Sequence, residues 1–176
     1  VQTCALPISR YAVLTRGDEP LGDFSVPAIV KPAREDASHG IAAASVVSDE
    51  GALRARARYV IEHYAQPALV EAFIEGREIN VGLMQTDGGL EMLPLSEIDF
   101  AGVAAGMPRI VSYDAKWVET SQDWAATRVI PARVSDSERD RIHAVARAAF
   151  TALGLAGYAA VESDFCDTRL RDPQVR

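Results

Sequence analysis

Two lysines and two glutamates set the terms of the chemistry. Lys31 ends the apolar run Pro27-Ala28-Ile29-Val30 and is followed by Pro32. A lysine at the end of a strand stands where strands meet a cleft, and its compact ammonium suits phosphate as a point charge. Lys116 lies in the string Tyr113-Asp114-Ala115-Lys116-Trp117, an ammonium among aromatic rings. Between them, Arg34-Glu35-Asp36-Ala37-Ser38-His39-Gly40 is short, polar and closed by glycine. Backbone amides and the Ser38 hydroxyl in such a loop suit a triphosphate. Glu71 and Glu78 flank Ala72-Phe73-Ile74-Glu75-Gly76-Arg77. A strand, linker and strand of this kind present backbone groups to an adenine edge and a carboxylate to ribose hydroxyls. Each of these residues alone also fits a solvated surface position. Order and spacing carry the inference.

The elements that must hold them are legible in part. Residues 27–31 read as a buried strand, 33–40 as a polar loop and 41–47 as a second strand, together hairpin-like. Ser48 is the expected cap of a helix reaching Tyr64, with Leu53, Ala57, Val60, Ile61 and Tyr64 in one stripe and the arginines largely outward. Further strands are expected at 68–71, 77–84 and 90–95, the last continuing into Ser96-Glu97. Over 77–84, Glu78, Asn80 and Gly82 alternate with Ile79, Val81 and Leu83. Residues 99–130 show little periodicity and read as a long ordered loop or lid. Ser135-Asp136-Ser137-Glu138 is a capping box for a helix to Leu153, with Ile142, Val145, Ala146, Ala149 and Leu153 inward. A last strand spans 158–165. This order is α+β, without the βαβ alternation of a doubly wound sheet.

Composition excludes several classes. A formal charge of −7 with dispersed Lys and Arg argues against nucleic acid as a partner. Cys4 and Cys166 form no zinc-ligand spacing, and His39, His63 and His143 read as surface residues. No apolar run approaches the roughly 20 residues that span a bilayer, so no membrane partner is expected and the cytoplasm is the default location. Residues 1–9 resemble a translated sequencing adapter and read as a non-native leader. No GxGxxG or GxxxxGK[ST] occurs.

Taken together, Pro27 to Pro32, Arg34 to Gly40, Leu69-Val70-Glu71 through Gly76-Arg77-Glu78-Ile79-Asn80-Val81, Leu93-Pro94-Leu95-Ser96-Glu97-Ile98 and Tyr113 to Trp117 resemble the ATP-grasp ligases. The D-alanine–D-alanine ligase branch is the nearest likeness, over residues 26–165. The resemblance implies two α+β lobes with antiparallel sheets enclosing a nucleotide cleft, here truncated. It implies a remnant or linker at 10–25, a small lobe at 26–95 and a partial central lobe at 96–176. Lys31 and Lys116 correspond to the lysines that clamp the ATP phosphates, and Ser38 and Gly40 to the loop that closes over them. Glu71, Ala72 and Ile74 correspond to the adenine edge, and Glu78 to the ribose ligand. Tyr113 and Trp117 fall in the loop that covers the second substrate, which makes Tyr113 and Lys116 the catalytic candidates. Glu162, or Asp164 if the register slips, is the candidate ligand of magnesium or manganese. The implied reaction makes an acyl phosphate from ATP and a carboxylate, which an amine then attacks. The implied substrates are small molecules, with peptidoglycan precursors as the setting and a homodimer as the intact assembly.

The sequence departs from the family pattern in two places. Its phosphate loop has a single glycine and carries Asp36, which repels phosphate if turned inward. Its late strand has Ala160 where the family has an arginine, and no Glu-x-Asn metal motif follows. The family's N-terminal substrate domain is also unmatched. This chain alone is therefore expected to bind nucleotide weakly and not to turn over. A non-catalytic nucleotide-binding or regulatory module of the same fold is the open alternative, and Ala160 counts in its favour.

Overall fold

The structure, a computed structural model, describes residues 9–22 and 24–165, the last three as backbone only. Cys4, Cys166 and nearly all of the expected leader lie outside the described residues. The chain divides into two compact units that exchange segments. One is Ser9–Ile74 with Phe100–Arg128, and the other contains Glu75–Asp99 and the residues from Val129 onward. This partition differs from the expected lobes at 26–95 and 96–176. Residues 75–95 group with the later helix and strands, and the lid segment groups with the early sheet.

The first unit is a four-stranded antiparallel sheet, β1 (Tyr11–Leu14), β2 (Ala28–Pro32), β3 (Val46–Val47) and β4 (Ala68–Ala72), in the order β1-β4-β2-β3. The segment 10–25, expected as a linker, contributes β1, because Leu14 is buried and Tyr11 to Leu14 pair with Glu71 to Ala68. The expected strand 41–47 is a strand only at Val46 and Val47. A 3-10 turn at Ala43–Ser45 precedes it, and small alanines there give no β-face to bury.

Helix α1 (Glu50–Tyr64) packs on this sheet. Asp49, not Ser48, is its cap and accepts the Ala52 amide at 2.8 Å, since the carboxylate one residue later reaches the third helical amide. Leu53, Ala57 and Val60 meet Leu14, Val30 and Val70 in one core. Full burial of each larger aliphatic side chain contributes about 1.5–3 kcal/mol. Residues 99–130 are not a featureless lid. They hold α2 (Tyr113–Trp117), α3 (Gln122–Ala126) and the start of β8 (Arg128–Pro131). Gly102 is required there, because a Cβ would lie 2.7 Å from the Ala126 backbone.

The second unit centres on the long strand β5 (Arg77–Thr86). One edge of β5 carries β9 (Tyr158–Phe165), and the other carries β6 (Gly89–Met92) and β7 (Ser96–Asp99), with β8 beside β7. The expected strand 90–95 is two short strands, broken at Leu93-Pro94-Leu95. Helix α4 (Asp136–Ala152) opens with the expected reciprocal cap. Ser135 Oγ accepts the Glu138 amide, and Glu138 accepts the Ser135 amide at 2.7 Å. Ile142, Ala146 and Phe150 pack on Ile79, Val81 and Leu83. Leu153, expected inward, is 68% exposed because the helix ends one residue before it, and Phe150 fills the last inward position. His143 is not a surface residue, for its Nε2 is buried with no hydrogen-bond partner among the described residues.

Candidate functional site

In the first unit, β2 and β4 bring Lys31 and Glu71 together. Lys31 lies opposite Leu69 and Glu71 opposite Ile29, so the two are diagonal neighbours on one face. Their ammonium and carboxylate form an ion pair, both side chains half-buried. Glu71 also accepts the Ser9 hydroxyl at 3.2 Å, which ties the last residue of the expected leader to the sheet. The Ala72 amide bonds Arg10 O at 2.9 Å and the Phe73 amide bonds Pro27 O at 3.0 Å. Ile74 lies beyond the end of β4.

The polar loop follows β2. Ala37, Ser38 and Gly40 have φ values of 50°, 63° and 79°. Left-handed backbone costs non-glycine residues about 1–2 kcal/mol each, so surrounding bonds must hold Ala37 and Ser38 there. Within the loop, His39 N bonds Asp36 O and Ile41 N bonds Ser38 O, both at 2.9 Å. Gly40 admits no side chain, because a Cβ would lie 2.6 Å from Pro32 Cγ. Asp36 is exposed.

The segment carrying Lys116 is fastened to this loop. The Tyr113 amide donates to Ile41 O at 2.9 Å, and the Trp117 indole donates to Ala37 O at 2.9 Å. The His39 ring meets Tyr64 and Tyr113 edge-on, at 5.5 and 5.8 Å between centroids. Ser112 caps α2 and donates to Asp123 Oδ2 at 2.6 Å, while Ser121 caps α3 and donates to Asp114 O at 3.0 Å. The short helices therefore hold each other and the loop. Lys116 itself is exposed.

A pocket of about 480 Å³ lies beside the loop, lined by Gly40 to Ala44, Arg56, Tyr59, Tyr64, Tyr113 and Asp123. Lys31 and Lys116 belong to the same unit, but neither lines this pocket.

Sequence reasoning missed Arg56. The arginines of α1 are not largely outward. Arg56 is half-buried, and its Nη2 donates to Gly40 O and Ser45 Oγ, both at 2.9 Å. Arg54 is also drawn in, donating to Gly17 O at 3.3 Å and Glu19 O at 3.1 Å. No local pattern announces these bonds, since the acceptors lie 11 and 16 residues from Arg56 and 35 and 37 residues from Arg54.

The remaining candidates sit on the second unit. Glu78 is half-buried on β5, and its register partner on β9 is Asp164. Asn80 faces Glu162, and Gly82 faces Ala160. Glu162 is exposed, and the Asp164 side chain lies outside the description. Arg77 clamps Glu97 through Nε and Nη2 at 2.7 and 2.6 Å, and Nη2 also reaches Arg133 O at 2.8 Å. These bonds first, and the guanidinium charge next, hold the Glu97 carboxyl below its ordinary value of 4.5 against an opposing effect of burial. Among the described residues, no three His, Cys, Asp or Glu side chains converge as a metal site.

A family model described as D-ala D-ala ligase C-terminus matches residues 1–169. The D-alanine–D-alanine ligase of Mycobacterium ulcerans is 34% identical over 163 residues, covering 89% of this chain and 42% of that protein. The uncharacterized protein y4sG of Sinorhizobium fredii is 29% identical over 157 residues, covering 89% of this chain and 44% of that protein. Among solved structures, the VanG D-Ala:D-Ser ligase from Enterococcus faecalis superposes with a TM-score of 0.69. It is 21% identical, covering 92% of this chain and 44% of that one. The D-alanine–D-alanine ligase from Bacillus anthracis complexed with ATP gives 0.64 at 21% identity, covering 91% and 47%. This chain thus spans 42–44% of the length of these two curated relatives.

Proposed function

The chain belongs to the D-Ala–D-Ala ligase C-terminal family and has its ATP-grasp fold, and from that footing we propose that it is the ATP-binding part of an ATP-dependent carboxylate–amine ligase. The observation that carries the reading is the tie between loop and lid. The segment bearing Lys116 is bonded through Tyr113 and Trp117 to the loop bearing Ser38 and Gly40, which follows directly on Lys31.

In this reading Lys31 and Lys116 neutralise the phosphates, as two ammonium groups from distant parts of the chain. Lys31 enters already paired with Glu71, so phosphate competes for an ammonium that is held in place rather than free to swing. The loop amides and Ser38 cover the phosphates, and Glu71, Ala72 and Ile74 border the adenine. Glu78 accepts from the ribose hydroxyls. Tyr113 and Trp117 keep water from the reacting carbonyl, which protects an acyl phosphate from hydrolysis. The substrates are a small carboxylate, such as an amino acid, and an amine.

Magnesium is part of the family's chemistry, where it neutralises phosphate charge. Glu162 and Asp164 are the carboxylates offered for it, but the described residues do not complete a metal site, so no step is routed through the ion. Ala160 supplies no charge where the resemblance places an arginine, and we expect slow or absent turnover from this chain alone. That alanine also favours the second reading, a nucleotide-binding module without catalysis.

Titration with ATP by calorimetry is the direct test. ATP binding by the parent chain, weakened about 10- to 100-fold in Lys31→Ala, is the expected result for loss of a charge-assisted phosphate contact. No binding by the parent, or equal affinity in the variant, overturns the assignment of Lys31.

A further inference from the structure

We infer that Arg56 is a positioning residue for the phosphate-covering loop, setting the loop's cover over nucleotide phosphates without touching the nucleotide. The inference rests on the ATP-binding reading above and adds a residue to it.

Arg56 Nη2 bridges two points at the far root of the loop, Gly40 O and Ser45 Oγ. Ser45 is fully buried, and its hydroxyl accepts the Ala42 amide at 3.1 Å. The guanidinium thereby closes a small network that fixes the exit from the left-handed stretch at Ala37, Ser38 and Gly40. That stretch carries backbone strain, and strained backbone persists only where surrounding contacts over-determine it.

Two further observations fit a guanidinium placed for the loop. Arg56 Nε is buried and has no hydrogen-bond partner among the described residues. An unmet donor on a charged group is costly, and the side chain accepts that cost in the pose that serves Gly40 and Ser45. The Tyr59 ring then supports the guanidinium from the same helix, with Cζ 4.6 Å from its centroid. Arg54, two residues earlier on α1, bonds instead to the 17–19 segment. It is a matched arginine that holds a different loop.

The test compares the parent chain with Arg56→Ala, Arg56→Lys and Arg54→Ala. Each is titrated with ATP and with adenosine, and amide hydrogen exchange is followed over residues 33–45. Arg56→Ala should weaken ATP by about tenfold, the scale of losing bonds to a charged group, and leave adenosine within about twofold. Arg56→Lys should recover part of the loss, because an ammonium can serve one of the two acceptors. Arg54→Ala should match the parent for both ligands. Exchange over 33–45 should rise in Arg56→Ala and not in Arg54→Ala.

Equal weakening of ATP and adenosine, or ATP affinity within twofold of the parent, overturns the link to phosphate. Unchanged exchange in the loop overturns the anchor itself. A parent that binds neither ligand, with exchange still raised in Arg56→Ala, removes the ATP-binding reading and leaves the anchor standing.

Discussion

The two units place their candidate residues by different means. In the unit built on β5, side-chain position follows the sheet. Ile79, Val81 and Leu83 turn into the core, Glu78, Asn80 and Gly82 alternate with them, and β9 extends the pairing to Glu162 and Asp164. In the unit built on β2 and β4, Lys31, Glu71 and Ala72 are set by register. Ser38, Gly40, Tyr113 and Trp117 lie off the sheet. Gly40, Tyr113 and Trp117 are held by bonds to partners far away in sequence, and Ser38 O accepts the Ile41 amide within its own turn. A residue placed by register shares its placement with a whole ladder of backbone bonds, whereas one placed by a few distant bonds depends on each of them.

The largest effect should come from attacking register-set packing. Leu83→Ala removes a buried side chain from the face shared with α4, and a loss of about 3 kcal/mol is expected in urea denaturation. A loss well below about 1 kcal/mol would mean that this face is not the core of the β5 unit.

Gly40→Ala attacks the other kind of placement. The new Cβ meets Pro32 at 2.6 Å and Tyr64 at 3.1 Å, and φ is +79°. A cost of about 2 kcal/mol is expected, together with faster exchange of the loop amides. Unchanged loop exchange would show that the loop does not depend on its glycine.

The smallest effect should come from Glu97→Gln, at about 1 kcal/mol. The clamp by Arg77 is bidentate, but Arg77 is 37% exposed and solvent screens the pair. The sign with pH follows from the lowered carboxyl. Its contribution is full above the ordinary value of 4.5 and is lost as pH falls through the depressed folded value. The gap in stability between parent and variant should therefore be widest near neutrality and narrow below pH 4.5. A gap that grows on acidification would contradict the pairing.

In the loop-built unit the Glu19 carboxyl is lowered by another route. It accepts from the Thr15 hydroxyl and from the amides of Thr15, Arg16 and Gly17, and its carboxyl falls below the ordinary range first because of the Thr15 hydroxyl. Here a carboxylate is held by consecutive amides of a turn. Glu97 is held by a side chain across a sheet.

The chain order determined a good deal by itself. Alternation over 77–84 announced the core face of β5, the Ser135–Glu138 pair announced the start of α4, and the 158–165 strand was legible to the residue. These features repeat over two to four residues, so a local window contains the whole signal. The family was legible for a related reason, since its motifs are short and their order survives without coordinates. Only the tertiary structure decided that 10–25 supplies an edge strand, that the lid contains two short helices, and that Arg56 turns inward to hold Gly40. Those outcomes depend on which carbonyls and hydroxyls lie within bonding distance once the sheets have formed. That proximity comes from folding, across separations that no local pattern encodes.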